Sequence, residues 1–301
     1  YHFGAWNQRT QGTLKTKEEK SEDLDNDYQE QLKKTGDIIQ KFNIKTRQTI
    51  CLSGTPFKAL ARGEFTDKSS FTYSYFDEQR NKYPNSGKGD FSVLNKDYAA
   101  FPDMKIFGYN MSKLFGNLTA SVFSEDKLLT KKYFSLNKFF ETRRENNPNE
   151  PCTFIYEDEI KKWLEIIKGR STFGDKFPYS NPQMLQNNVH TLWLMPTVKS
   201  CKAMEKLLKA DEYFSRYQII NLSQDGVGAG NDAFEYLMNN ISESENTNKL
   251  GSIAITVNKL TIGVTVKKWS SVFVLKDLAS PEQYFQAIFR IQTPYVVNKV
   301  I

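Results

Sequence analysis

The chain has 301 residues, 39% of them hydrophobic and 25% charged, with a formal net charge of +6 at pH 7. That length suffices for two domains and a substantial core, and the mild basic excess permits a polyanionic partner. Three scattered cysteines (Cys51, Cys152, Cys201) and two histidines exclude a disulfide framework and an ordinary zinc cluster, and no apolar run reaches membrane-spanning length.

The odd cysteine count fits a reducing compartment, so a cytoplasmic location is expected, and the opening residues do not read as a signal peptide. The chain opens on YHFGAW and stops at VVNKVI, which reads as a piece of a longer protein.

Residues 12–23 are polar and read as a loop. From Leu24 to Phe42 the apolar spacing predicts a helix interrupted near Gly36. QTICLSGTP reads as a short buried strand running into a turn at Gly54 and Pro56. Residues 77–100 form a polar excursion, and KIFGYNM, 105–111, is expected to be another strand. The strongest helical pattern is EDEIKKWLEIIKG: Ile160, Trp163, Leu164 and Ile167 share a face, acids lead and Gly169 closes. Residues 170–187 are rich in Ser, Pro and Asn and read as a loop.

After residue 188 the rhythm changes. TLWLMP, YQIINLS, SIAITV and SVFVLKD read as strands, and SCKAMEKLLKADEYF, NDAFEYLMNNI and SPEQYFQAIFR as helices. Strands alternating with helices predict an α/β fold, a parallel sheet with helices packed on its faces. Ligands in such sheets bind beyond the carboxyl ends of the strands. The segments LSGTP, MPTVKS and TVNKLTIGVTV each follow a strand and place hydroxyls, amides or lysines where a phosphate could sit. Each also reads as an ordinary turn with Ser or Thr caps. On the last helix, Gln286 and Arg290 stand four apart on one face.

The order of these segments resembles that of the superfamily 2 helicases and translocases. Their two RecA-like domains close on ATP and move along nucleic acid. The resemblance covers most of the chain, with residues 61–187 matching loosely. YHFGAW resembles the tail of the D-E-x-H motif, with His2 as its histidine, which would put the magnesium-binding acids before residue 1. Ser53 and Gly54 fall in SGTP, which resembles the S-A-T motif coupling hydrolysis to strand movement. TLWLMPTVKS resembles the first strand of the second domain, and TVNKLTIGVTV the fifth motif, with Gly263 at its glycine and Thr265 where an aspartate is usual. QAIFR resembles Q-x-x-G-R-x-x-R, with Phe289 at the glycine and Thr293 at the second arginine. The runs SGTPFKALARGEF, SYFDEQRNK and AIFRIQTP bring the chain closest to the helicase-like subunits of ATP-dependent restriction systems.

The resemblance implies a partial first RecA-like domain at 1–111, a mostly helical insertion at 112–187 and a second RecA-like domain at 188–301. It implies ATP with magnesium as cofactors, and double-stranded DNA, with methyltransferase, specificity or nuclease subunits or domains, as partners. Arg290, Gln286 and His2 would serve catalysis, and Gly263 and Thr265 would bind nucleotide. Thr55, Thr197, Lys199, Thr256 and Lys259 would touch DNA. An arginine placed on the developing γ-phosphate charge can be worth about 10³–10⁵ in rate. No G-x-x-x-x-G-K-[ST] occurs, so these residues alone are not expected to hydrolyse ATP.

Two other patterns compete. Gly226, Gly228 and Gly230 follow a strand and precede a helix, imitating a dinucleotide or adenosyl-methionine loop, but their spacing is G-x-G-x-G. Pro102-Asp103 with Glu125-Asp126-Lys127 imitates a magnesium nuclease site built from common residues. A nucleotide- or adenosyl-methionine-binding enzyme using the Gly226 loop, and an inactive helicase-fold scaffold, are the alternative readings.

Overall fold

In the computed structural model the described residues are 54, 68–111, 123–126, 131–143, 152–169, 177–260, 264–278 and 280–295. The helix expected over 24–42, most of the QTICLSGTP strand, and His2, Ser53, Thr55 and Gly263 lie outside them; Gly54 is described and exposed. The chain divides into two compact units. One takes the described residues up to 106 with 265–267 and 280–295, and the other takes those from 107 to 264 with 268–278.

Among the described residues the first regular element of the first unit is helix α1, Tyr75–Lys82. Ser74 caps it through a full capping box with Asp77, and acids at its start with Arg80 and Lys82 at its end suit the helix dipole. Two 3₁₀ turns follow, Ser86–Lys88 and Lys96–Tyr98, so the polar excursion expected over 77–100 opens within α1 and continues in short turns. KIFGYN, expected to be a strand, takes no regular structure. Tyr109 stacks on Phe177 at 4.8 Å between ring centroids, but Ile106 is 64% and Phe107 53% exposed, and a strand without a paired neighbour is not stable.

The second unit contains an antiparallel hairpin, β1 (Phe123–Asp126) and β2 (Lys131–Phe134), in a region expected to be mostly helical. Helix α2 (Leu136–Phe139) follows, then α3 (Glu157–Ile167) with the predicted buried face. Gly169 closes α3 at φ +77°, where a Cβ would lie 2.3 Å from the Ser180 Cβ. Within the expected loop 170–187, Pro182–Asn187 forms helix α4, because Asn181 accepts from the amides of Gln183 and Met184 while Pro182 opens the first turn.

From here sequence and structure run in step: β3 (His190–Leu194), α5 (Val198–Ala210), β4 (Gln218–Asn221), α6 (Asn231–Asn246), β5 (Ser252–Thr256) and β6 (Ser271–Val274). The four strands form a wholly parallel sheet in the order β4-β5-β3-β6. This is the helix-flanked parallel sheet expected of a RecA-like α/β fold. The chain moves outward from β3 to β4 and back to β5, so right-handed crossovers place α5 and α6 on opposite faces. The burial agrees. Trp193, Ile219, Ile253 and Ile255 join one core with Ile160, Trp163 and Leu164 of α3 and Cys201, Met204 and Leu208 of α5. Leu192, Leu194, Ile220 and Ala254 occupy the alternate strand positions and are buried apart from that core, as are Ala233, Leu237 and Ile241 of α6. Helix α7, Pro281–Ile288, returns to the first unit, capped by Ser280, and tightens into a 3₁₀ turn at Phe289–Ile291.

Candidate functional site

Because β3, β5 and β6 run parallel, Leu194 lies beside both Thr256 and Val274, and Asn221 of β4 lies beside Ile255. Their loops therefore emerge along one edge, the edge at which open parallel sheets bind ligands. Thr197, Lys199, Thr256 and Lys259 all stand on it.

Thr197 is the N-cap of α5: its Oγ1 accepts from the Ser200 amide at 3.1 Å, and its own amide donates to Ser200 Oγ at 2.9 Å. Lys199 is exposed in the first turn, and its carbonyl accepts from Cys152 Sγ at 3.3 Å. Thr256 is fully buried, and its Oγ1 accepts from the Lys259 amide at 2.9 Å. Lys259 is half-buried and its Nζ donates to the Gly228 carbonyl at 2.9 Å. In this geometry both Thr197 and Thr256 use their hydroxyls to shape loops.

Three further side chains were not singled out in the sequence. Ser223, after β4, accepts the Val257 amide on its Oγ at 3.1 Å. Lys276, after β6, donates to the Val257 carbonyl at 2.9 Å and to Asn258 Oδ1 at 2.8 Å. Asp277 accepts from Ser135 Oγ at 2.6 Å and from the Leu136 amide at 3.0 Å, and its own amide donates to Asn137 Oδ1 at 2.9 Å. The available signal was position: Lys276 and Asp277 follow a strand at its carboxyl end.

The glycine loop after β4 stands on the same edge. Gly226, Gly228 and Gly230 all have positive φ, at 85°, 70° and 55°. A Cβ on Gly228 would meet the Asp232 Cβ at 2.9 Å. Asp232 already places a carboxylate in the first turn of α6, where it complements the helix dipole and repels a phosphate.

Gln286, Arg290 and Thr265 belong to the other unit. Gln286 lies on α7 and Arg290 on the 3₁₀ turn after it, with Arg290 Nε donating to the Gln286 carbonyl at 3.2 Å. Burial lowers the pKa of the guanidinium from its ordinary value. Phe289 packs on Phe285 at 5.9 Å between ring centroids and on Tyr75 of α1 at 6.3 Å. Thr265 is exposed.

Of the nuclease-like residues, Asp103 accepts from Lys82 Nζ at 2.8 Å and from Tyr83 Oη at 2.9 Å. Glu125 and Asp126 lie on β1 in the other unit, and Lys127 lies outside the described residues. Among the described residues no group of three His, Cys, Asp or Glu side chains could hold a metal ion, and no helix is long and apolar enough to cross a membrane.

The chain is similar to a Mycoplasma pneumoniae protein, "Putative type II restriction enzyme and methyltransferase RM.MpnORF110P C-terminus", at 36% identity over 316 aligned residues. The alignment takes in 99% of this chain and 43% of that protein, so the chain spans less than half of its relative's length. No family model matches the chain. No solved structure matches it.

Proposed function

We propose that the chain is part of a restriction-modification protein acting on DNA, and that within it the chain belongs to an ATP-driven motor of the helicase or translocase kind. The observation that carries the restriction reading is the similarity, along 99% of the chain, to a protein named as a restriction enzyme and methyltransferase. The motor reading rests on the motif order together with the parallel sheet, whose carboxyl edge bears Thr197, Lys199 and Lys259. Phosphate contacts from lysines on such an edge would give affinity without sequence specificity, and that affinity would weaken steeply with salt.

The residues present fit ATP in one respect: Arg290 offers a partly desolvated positive charge, which a developing γ-phosphate charge requires. When bound, ATP would supply the phosphoryl group whose transfer drives movement. Gln286 holds Arg290 through its main-chain carbonyl. Among the described residues no group of three His, Cys, Asp or Glu side chains could hold a metal ion.

The test is ATP hydrolysis by the native full-length protein with and without double-stranded DNA, beside Arg290→Ala. The expected result is DNA-stimulated hydrolysis that falls about 10³-fold or more in the variant, with the circular dichroism spectrum unchanged. Hydrolysis that is absent, indifferent to DNA or untouched by the substitution overturns the motor reading.

A second reading is favoured by the methyltransferase in the relative's name and by the glycine loop after β4. It places adenosyl-methionine or a nucleotide at Gly226–Gly230. Calorimetric titration with adenosyl-methionine, giving micromolar binding that Gly226→Val removes, would favour it over the motor.

A further inference from the structure

Val257 is held by both its main-chain amide and its main-chain carbonyl. Its amide donates to Ser223 Oγ from the loop after β4, at 3.1 Å, and its carbonyl accepts from Lys276 Nζ, after β6, at 2.9 Å. The same ammonium reaches Asn258 Oδ1 at 2.8 Å. In the sheet β6 is separated from β5 by β3, so the Lys276 side chain crosses the carboxyl end of β3 to reach the β5 loop. The loop needs such restraint. Leu260, three residues after Val257, is a buried leucine at φ +61°, a left-handed conformation that a bulky residue holds only when its surroundings impose it. Between them stands Lys259, whose amide is fixed by Thr256 and whose ammonium bonds the Gly228 carbonyl.

We propose that Lys276 is the positioning residue of the β5 loop, holding Val257–Lys259 so that Lys259 is presented at the carboxyl edge for a nucleic-acid phosphate. Lys276 acts through the loop: its ammonium bonds a main-chain carbonyl and an amide oxygen of that loop. Asp277, the next residue, fixes the base of the clamp by capping α2 at Ser135 and Leu136. The role toward DNA rests on the proposed function; the role toward the loop does not.

The experiment compares wild type, Lys276→Met, Lys276→Arg and Lys259→Met in the full-length protein. Two quantities are read: amide hydrogen exchange across 257–260, and binding of a random-sequence DNA duplex as a function of salt. Lys276→Met should raise exchange in the loop at least tenfold while exchange in β3 and β5 is unchanged. It should weaken duplex binding severalfold while leaving the salt slope as in wild type, and Lys276→Arg should restore most of both. Lys259→Met should instead lower the salt slope by about one phosphate contact. Unchanged loop exchange in Lys276→Met overturns the clamp. A lowered salt slope in Lys276→Met makes Lys276 a direct phosphate contact and overturns positioning. If wild type binds no duplex, the DNA reading fails, and with it the phosphate-presenting role; the exchange result alone then decides the loop clamp.

Discussion

Two short apolar runs, HTLWL in β3 and KIFGYN at 105–110, look alike and end differently. Every residue of β3 is buried, between β5 on one side and β6 on the other. KIFGYN lies exposed and without regular structure. The difference is in the neighbours. In β3, Trp193 meets Ile255 and Phe273 across the ladder and packs on Trp163 and Phe214 from the helices. Ile106 and Phe107 bring similar apolar surface but bury little of it. An apolar pattern states a capacity for burial; packing alone turns it into stability.

The sharpest test of this contrast is truncation at both places. Trp193→Ala should cost about 3–5 kcal/mol, since it opens a cavity in an aromatic core that cannot collapse easily. Phe107→Ala should change stability by less than about 0.5 kcal/mol, as for a surface position. Urea unfolding of the two variants checks both, and a comparable loss in each would end the comparison.

Charge pairs extend it. Lys168 is buried and joins Asp211 at 2.6 Å, with Glu165 as a second partner. Burial alone would raise the Asp211 pKa, but hydrogen bonds from Lys168 and from the Phe214 and Tyr213 amides hold it below its ordinary value. Lys168→Met leaves that carboxylate short of its cation and should cost about 3 kcal/mol. Lys202 pairs with Asp225 on the surface at 3.2 Å, and Lys202→Met should cost about 0.5 kcal/mol or less. Denaturant midpoints of the two variants decide between them.

The smallest effect expected is a pH response at the opposite edge of the sheet. His190 opens β3, with Nδ1 3.0 Å from Ser252 Oγ and Nε2 3.5 Å from Glu245, which Lys268 also holds. Burial lowers the imidazole pKa below its ordinary 6.5; Glu245 opposes that shift and Lys268 adds to it. As pH falls, the unfolded chain takes up the proton first. The stability tied to neutral His190 is therefore full above about 6.5 and is lost as pH falls toward the lower folded value. The urea midpoint should fall between about pH 7.5 and pH 5.5, and by less in His190→Gln. An equal fall in both proteins would remove His190 from the account.

Much of the second unit was legible from residue 188 onward because each element carries its own signal. The Val/Ile/Leu runs of β3, β4 and β5, the apolar face of α5 and the Thr197 cap are set by neighbours within four residues. The same holds for α3 and its closing Gly169. Helix α4 was missed because a Ser-, Pro- and Asn-rich stretch resembles a loop until its cap is in place, and the hairpin was missed because the ladder partner that makes FSED and KKYF strands is not marked in a region expected to be mostly helical. Of the candidate site, the sequence placed Thr197, Lys199, Thr256 and Lys259 after strands, and the parallel sheet set them on one edge.

By itself, then, the sequence from residue 188 onward determined which segments would be strands and helices, their alternation, and hence a parallel sheet. Tertiary structure alone decided that β3 would be central and β4 an edge, that Lys276 would reach across to Val257, and that Asp277 would cap a helix begun 142 residues earlier at Ser135. The physical reason is range. Periodicity and capping are fixed by side chains a few residues apart, whereas ladder hydrogen bonds join backbones that carry no sequence label. Strand neighbours are chosen by the packing of the whole sheet, and side chains such as Lys276 find their partners only once that choice is made.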